Sequence, residues 1–260
     1  MELIDTHCHL TFEGLADDAE ALVERSCAAG VTAWVTVGTD MHHNRKVIEL
    51  SEQFDNMYAA IGIHPHDAKD VTGDVLAELR DLAQHDKVVA IGETGLDFHY
   101  NFSPPKEQRR AFAAQLKLAA EANLPVIVHS REAFDETVDV LDQHGDGIRK
   151  VVFHCFSGPG EHARIVLGKG WYVSFTGVVT FKNAEKVRDA AAIVPLERMM
   201  LETDCPYMSP VPMRRQKVNE PALMIHTARF MAELKKLDLN EFAKAVTNTS
   251  MGFFNLPGRR

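Results

Sequence analysis

What this chain lacks narrows its role before any motif is read. No apolar run approaches the roughly 20 residues needed to cross a bilayer. The N-terminus shows neither the basic stretch nor the apolar core of a secretory signal. Positive charge is in short supply: 28 Lys and Arg face 37 Asp and Glu, for a net charge of −9. That balance argues against broad non-specific duplex binding, which needs a basic face. It leaves room for phosphate chemistry at bound metal ions, which attract anions locally. The four cysteines, Cys8, Cys27, Cys155 and Cys205, form no CxxC pair and no disulfide framework. No GxGxxG follows the first strand-like run and no P-loop occurs, so the common nucleotide-cradling loops are missing. There is no internal repeat, low-complexity segment or composition shift that would mark a linker. Together these absences predict a cytoplasmic protein, with residues 1–260 forming a single domain and no membrane partner.

What is present is a regular alternation of apolar strand-like runs and helical patterns. After a first strand, a helix is expected over 15–29, then a strand over 32–38 and a helix over 41–54. A strand over 57–62 leads into His64-Pro65-His66, and a helix over 74–84 precedes a strand ending at Glu93. Ser103 is expected to cap a long helix reaching about Ala122, with proline in its first turn. The strand to His129, a helix over 134–144, the strand to His154 and a helix to Gly168 follow. A strand over 171–175, a helix over 184–193 and a strand over 199–204 bring the strand count to eight. Helices over 222–237 and 239–246 close the chain. Eight such units, with strands apolar enough to be buried on both faces, predict an α/β fold, a (β/α)8 TIM barrel. The segment 206–221 carries four prolines with Arg214, Arg215 and Lys217, and is expected to overhang the catalytic face.

The chemistry lies at the strand ends. Ile4-Asp5-Thr6-His7-Cys8-His9 closes a strand with His-x-His, and residues two apart on a strand share a face. Four later strands also end in ligand-type side chains, at Glu93, His129, His154 and Asp204. In a barrel these ends converge on one face. Four imidazoles and two carboxylates exceed the needs of one tetrahedral zinc and suit two divalent ions. Glu93, central in strand order, is the natural shared ligand. His7, His9, Glu93 and Asp204 would hold one ion, and Glu93, His129 and His154 the other. A water held between the ions is the expected nucleophile, with Asp204 orienting or deprotonating it.

Seven segments then carry a resemblance. Asp5-Thr6-His7-Cys8-His9, Gly62-Ile63-His64-Pro65-His66, Gly92-Glu93-Thr94-Gly95-Leu96-Asp97, His129-Ser130-Arg131, His154-Cys155-Phe156-Ser157-Gly158, Leu201-Glu202-Thr203-Asp204-Cys205-Pro206 and Asn219-Glu220-Pro221 look like the successive motifs of the TatD family of metal-dependent deoxyribonucleases. The resemblance implies a TIM barrel of the amidohydrolase-like group with a divalent-metal centre. It also implies phosphodiester hydrolysis, with DNA as partner and single-stranded 3′ ends as substrate, RNA being a further possibility. The family's ligand positions fall on the same six residues. Val218 stands where such sequences often carry a basic residue, leaving Arg215 and Lys217 as the nearby positive charge.

The resemblance gives His64 a phosphate-binding or catalytic role, and His66 is a weaker candidate. Glu202, two residues before Asp204 on the same strand and so expected on the same face, is read either as holding a further metal or assisting proton transfer as a catalytic group, or as a partner that orients a histidine. Arg131 suits a phosphate oxygen, or else a salt bridge to Asp97 or Glu132. Lys217, with Arg214 and Arg215, could guide an anionic strand or be merely solvated. Phe98, Tyr100 and Phe102 are expected to plug the barrel rim, with base stacking as the alternative. The ions could be zinc, magnesium or manganese; imidazole favours zinc and manganese, and oxygen ligands favour magnesium. Two rival functions remain: an ester or amide hydrolase such as an aminoacyl-tRNA deacylase, and a non-catalytic binding module.

Overall fold

The computed structural model describes residues 1–257; residues 258–260, included in the single-domain reading, lie outside the described residues. Its elements are β1 (Leu3–Cys8), α1 (Ala19–Ala28), β2 (Val31–Val37), α2 (Met41–Glu52), β3 (Met57–Ile61), α3 (Gly73–Leu82), β4 (Val88–Asp97), α4 (Pro105–Ala122), β5 (Val126–Arg131), α5 (Phe134–His144), β6 (Val151–Phe153), α6 (Gly160–Gly168), β7 (Tyr172–Phe175), α7 (Glu185–Ile193), β8 (Met199–Leu201), α8 (Met224–Lys235) and α9 (Leu239–Phe254). The strands follow one another in a single eight-stranded sheet in the order β1 to β8. This is the strand order of a (β/α)8 barrel, as the alternation of patterns predicts. Every residue of β1 and of β4 is buried. That explains why these strands read as continuous apolar runs interrupted only by residues with chemistry to do.

By contact the chain falls into two compact units, one made of residues 1–36 and 155–260, the other of residues 37–154. In the first unit β1 pairs in parallel with β2, and β7 with β8. The backbone of His9 donates to the Cys205 carbonyl (2.9 Å), and that of Asp204 to the His7 carbonyl (2.9 Å). Thr6 Oγ1 donates to the Leu201 carbonyl at 2.9 Å. The end of β1 is thus laced to the segment leaving β8. In the second unit β3 pairs with β4, β4 with β5 and β5 with β6, all in parallel. The register of β4 against β5 shifts between Ile91 and Thr94, bracketing Glu93. Such irregularities re-aim side chains beside functional sites.

Helix starts follow capping chemistry. Asp40 accepts from the His43 amide at the head of α2, Thr72 from the Val75 amide at α3, and Asp238 from the Asn240 amide at α9. Several boundaries differ from expectation. The helix expected over 15–29 begins as a 3-10 turn at Ala16–Asp18 and becomes α-helical only at Ala19. Strand β4 runs on to Asp97, four residues past Glu93. The closing helix α9 reaches Phe254, because Phe242, Val246, Phe253 and Phe254 keep an apolar face buried well past Val246. Ser103 does not cap α4; Pro104 occupies that position without a side-chain cap bond. The Ser103 hydroxyl instead donates to the His66 carbonyl (2.6 Å) and accepts from the Lys69 amide (3.0 Å), tying two loops together. No helix among the described residues is long and apolar enough to cross a membrane.

Candidate metal centre

In the first unit His7, His9 and Asp204 converge. The Nε2 atoms of His7 and His9 lie 3.2 Å apart. Asp204 Oδ1 stands 3.8 Å from the first and 3.5 Å from the second. Metal–nitrogen bonds of about 2.0–2.1 Å place the nitrogens of a tetrahedral site roughly 3.3 Å apart, so this spacing fits a shared ion. Asp204 is aimed by its backbone: φ is +53°, a left-handed conformation that aspartate tolerates better than most residues. The strand expected over 199–204 stops at Leu201, so Glu202 and Asp204 lie beyond it and do not share a strand face, contrary to expectation. Glu202 accepts from the Cys155 amide (2.5 Å) and the Ser174 hydroxyl (2.6 Å), binding the segment after β6 to β7.

Beneath this cluster lies a residue that pattern reading passed over. Asp5 is fully buried and accepts from the Thr203 amide (2.9 Å) and hydroxyl (2.5 Å). These bonds anchor the residue directly before Asp204. Burial pushes the Asp5 carboxyl up to about 7, against the lowering effect of the Thr203 bonds.

In the second unit the centre of the cluster is Glu93. Its Oε1 lies 2.7 Å from His129 Nδ1, 2.7 Å from His154 Nε2 and 3.4 Å from His64 Nε2. His129 Nδ1 and His154 Nε2 are 3.3 Å apart, again the edge of a metal tetrahedron. On its far side His129 Nε2 meets Asp97 Oδ2 at 3.0 Å. An ionised carboxylate only accepts, so Asp97 fixes the proton of neutral His129 on Nε2 and leaves a lone pair on Nδ1. That lone pair faces the Glu93 carboxylate, an arrangement that calls for a proton or a cation between them. The donor set therefore fits a divalent ion, with Asp97 in the orienting position usual behind metal-bound histidines.

The electrostatics agree. Burial alone would push His129 down, but its bonds to Asp97 and Glu93 outweigh this and hold it above the ordinary histidine value. Burial would raise Glu93, yet the charges of His154 and His64 and the bonds from His129 and His154 hold it well below the carboxylate range. Asp97 is likewise lowered against the effect of burial, first by its bond to His129.

His64 is different. Its Nδ1 accepts from the His66 amide at 3.1 Å, which places the proton of the neutral ring on Nε2. It offers Glu93 a donor rather than a lone pair, and burial pushes its pKa down to about 4. It is suited to donating to an anionic oxygen. His66 Nε2 lies 3.2 Å from Asp97 Oδ2.

A close approach of β4 and β5 makes this cluster possible. Gly95 has φ +142°, and a β-carbon there would collide with the His129 carbonyl oxygen. Of the positions expected for substrate contact, His64 is buried, whereas Arg131 and Lys217 are exposed. Arg131 is exposed, and its guanidinium lies over the Tyr100 ring, 4.8 Å from the centroid, rather than in an ion pair with Asp97 or Glu132. Lys217 and Arg215 are exposed on the 206–221 segment, while Arg214 packs on Phe181 at 3.8 Å. Asn219 closes that segment by donating to the carbonyls of Thr203 (3.0 Å) and Tyr207 (2.6 Å). Asp97, like Asp5, is a site residue that the search for strand-end ligands missed. Its signal was available: it stands four residues past Glu93 in a run without helical spacing, hence on the same strand face.

Comparison with known proteins places these features in a wider set. A family model described as TatD related DNase matches residues 4–255. A Bacillus subtilis protein named as an uncharacterized metal-dependent hydrolase, YabD, is 41% identical over 98% of this chain and 99% of its own length. A protein of Erwinia tasmaniensis named 3′-5′ ssDNA/RNA exonuclease TatD is 34% identical over 98% of this chain and all (100%) of its own. Among solved structures, that of YJJV, a TatD homolog from Escherichia coli, superposes with a TM-score of 0.92 at 33% identity, covering 98% of each chain.

Proposed function

From the premise that this chain belongs to the TatD-related DNase family of metal-dependent hydrolases, we propose that it is a divalent-metal-dependent exonuclease that shortens single-stranded DNA from the 3′ end. The observation that carries this reading is the convergence of His129 and His154 nitrogens on one oxygen of Glu93, with Asp97 directing the His129 lone pair inward. The name of the Erwinia tasmaniensis relative supports the polarity and the single-stranded substrate, and extends it to RNA. We assign one ion to His7, His9 and Asp204 and one to Glu93, His129 and His154. Zinc, manganese and magnesium are the candidates. The reading takes residues 1–260 as one hydrolase domain and places it in the cytoplasm.

When bound, such ions supply Lewis-acid polarisation of a phosphate and lower the pKa of water. The chain's own groups do the rest. The His64 Nε2 proton hydrogen-bonds a non-bridging phosphate oxygen. The Asp204 carboxylate orients the attacking water and accepts its proton. Glu202 acts as a positioning residue, its oxygens holding Cys155 and Ser174. Arg131 and Lys217 attract the strand's phosphates.

The test is cleavage of a 5′-labelled single-stranded DNA oligonucleotide by metal-reconstituted protein, with Asp204→Ala as control and an RNA of the same sequence alongside. The expected result is a ladder shortening from the 3′ end, absent in the variant and with EDTA. Intact DNA after incubation with protein shown to hold its metal would refute the reading.

Metal binding should depend on pH in a defined direction. A bound ion must displace the proton from His129, whose pKa is raised, so affinity should climb by up to about tenfold per pH unit until that pKa is passed. Stability without metal should run the other way. A raised histidine contributes stability that is complete below its unfolded value of about 6.5 and is lost as pH rises through the folded pKa. Asp5, raised to about 7, has the same sign. The metal-free protein should therefore melt at lower temperature at pH 8 than at pH 6.5, and the loaded protein should not. Calorimetric titration and thermal melts at both pH values check the two halves. Equal affinity at both would contradict a role for His129 as ligand.

A further inference from the structure

Three aromatic residues follow β4. Phe98 is half-buried under the Arg109 guanidinium, 5.2 Å from its ring centroid. Tyr100 and Phe102 do not plug the rim as expected: they are 49% and 59% exposed. Their rings are stacked, with centroids 5.2 Å apart and planes only 7° from parallel. His66 meets both edge-on, at 4.8 Å from Phe102 and 5.6 Å from Tyr100.

The segment that carries these rings is held from below. Asp97 Oδ1 accepts from the amides of His99 (3.0 Å) and Tyr100 (3.1 Å). The buried Gln108 side chain receives the Asp97 amide (2.8 Å) and donates to the carbonyls of Asp97 (2.9 Å) and Ser103 (2.8 Å). Two large rings are thus presented to water on a preorganised backbone, at a cost that the core does not recover. The other oxygen of Asp97 orients His129. One carboxylate therefore sets both the candidate metal ligand and the aromatic pair.

We infer that Tyr100 and Phe102 form a stacking platform for an unpaired base of the single strand, next to the cluster of Glu93, His129 and His154. The inference rests on the nuclease reading above and adds to it the residues that grip the base. Every base offers a π-face, so stacking binds single strands with little regard to sequence, whereas paired bases have no face to offer. The Arg131 guanidinium, lying over Tyr100, has its charge beside the platform, where the neighbouring phosphate would run. The net charge of −9 gives the protein little general attraction for a polyanion. Stacking supplies affinity that charge does not.

The experiment compares metal-loaded wild type with Phe102→Ala, the double variant Tyr100→Ala/Phe102→Ala, and Phe102→Trp. Steady-state cleavage of a single-stranded oligonucleotide is measured together with quenching of a 2-aminopurine placed near its 3′ end. Removing one stacking partner should raise KM about tenfold with kcat nearly unchanged, and tryptophan should restore it. Quenching should be strong with wild type and Phe102→Trp and weak with the double variant. Abasic sites at the 3′ end should erase the difference between wild type and Phe102→Ala. Equal KM and equal quenching in the folded double variant, with wild type active, would overturn the platform and leave the nuclease reading intact. Metal-loaded wild type that neither cleaves nor quenches would overturn both.

Discussion

Replacing Glu93 with glutamine should lower metal-dependent activity on the order of a thousandfold, about 4 kcal/mol of barrier. Glutamine keeps the size of the side chain and removes its charge. One oxygen of Glu93 now faces imidazole nitrogens of His129 and His154 at 2.7 Å each. An amide would present either a neutral oxygen or an N–H to those nitrogens, and neither holds a cation. The His129 pKa should fall, because one of the two bonds that hold it up is lost. Metal content and activity are the primary readouts, and the histidine titration followed by NMR is the second. A variant that keeps full activity and full metal content would remove Glu93 from the site.

Asp97→Asn should weaken divalent-ion binding by about 10- to 100-fold, the usual effect of losing an orienting group behind a metal-bound histidine. The reason is the tautomer. An asparagine can turn its NH2 toward His129 Nε2, which then accepts and forces the proton onto Nδ1, the nitrogen aimed at Glu93. Asp97→Ala should add a stability loss of about 1–3 kcal/mol, because the His99 and Tyr100 amides lose their acceptor. Metal titration and denaturant unfolding separate the two effects. Metal affinity unchanged in Asp97→Asn would show that His129 does not depend on this contact.

Much of the architecture was legible because a buried parallel strand has an unmistakable composition. Runs such as Val88-Val89-Ala90-Ile91 and Val126-Ile127-Val128 cannot face water, and each is followed by a patterned helix. Strand-end histidines stand out in the same way, since a polar residue closing an apolar run has to be satisfied by something. Ser103 misled for the opposite reason. A serine beside prolines before a helix has the local signature of a cap, but a hydroxyl takes whichever partner the fold brings, here the His66 carbonyl and the Lys69 amide. The end of β4 misled too, because Gly95 looks like a strand breaker and is instead the place where β5 comes close.

The order of the strands, the positions of His7, His9, Glu93, His129, His154 and Asp204, and the acidic balance were determined by the sequence alone. Periodicity and charge are properties of neighbours along the chain, and they survive without coordinates. Tertiary structure alone decided which nitrogen of His129 faces inward, that His64 offers a proton rather than a lone pair, that Asp5 and Asp97 stand behind the candidate ligands, and that Tyr100 and Phe102 face water. Each of these depends on a contact between residues distant in sequence or on a backbone angle. No local pattern encodes the direction of a lone pair; the hydrogen bond on the other side of the ring sets it.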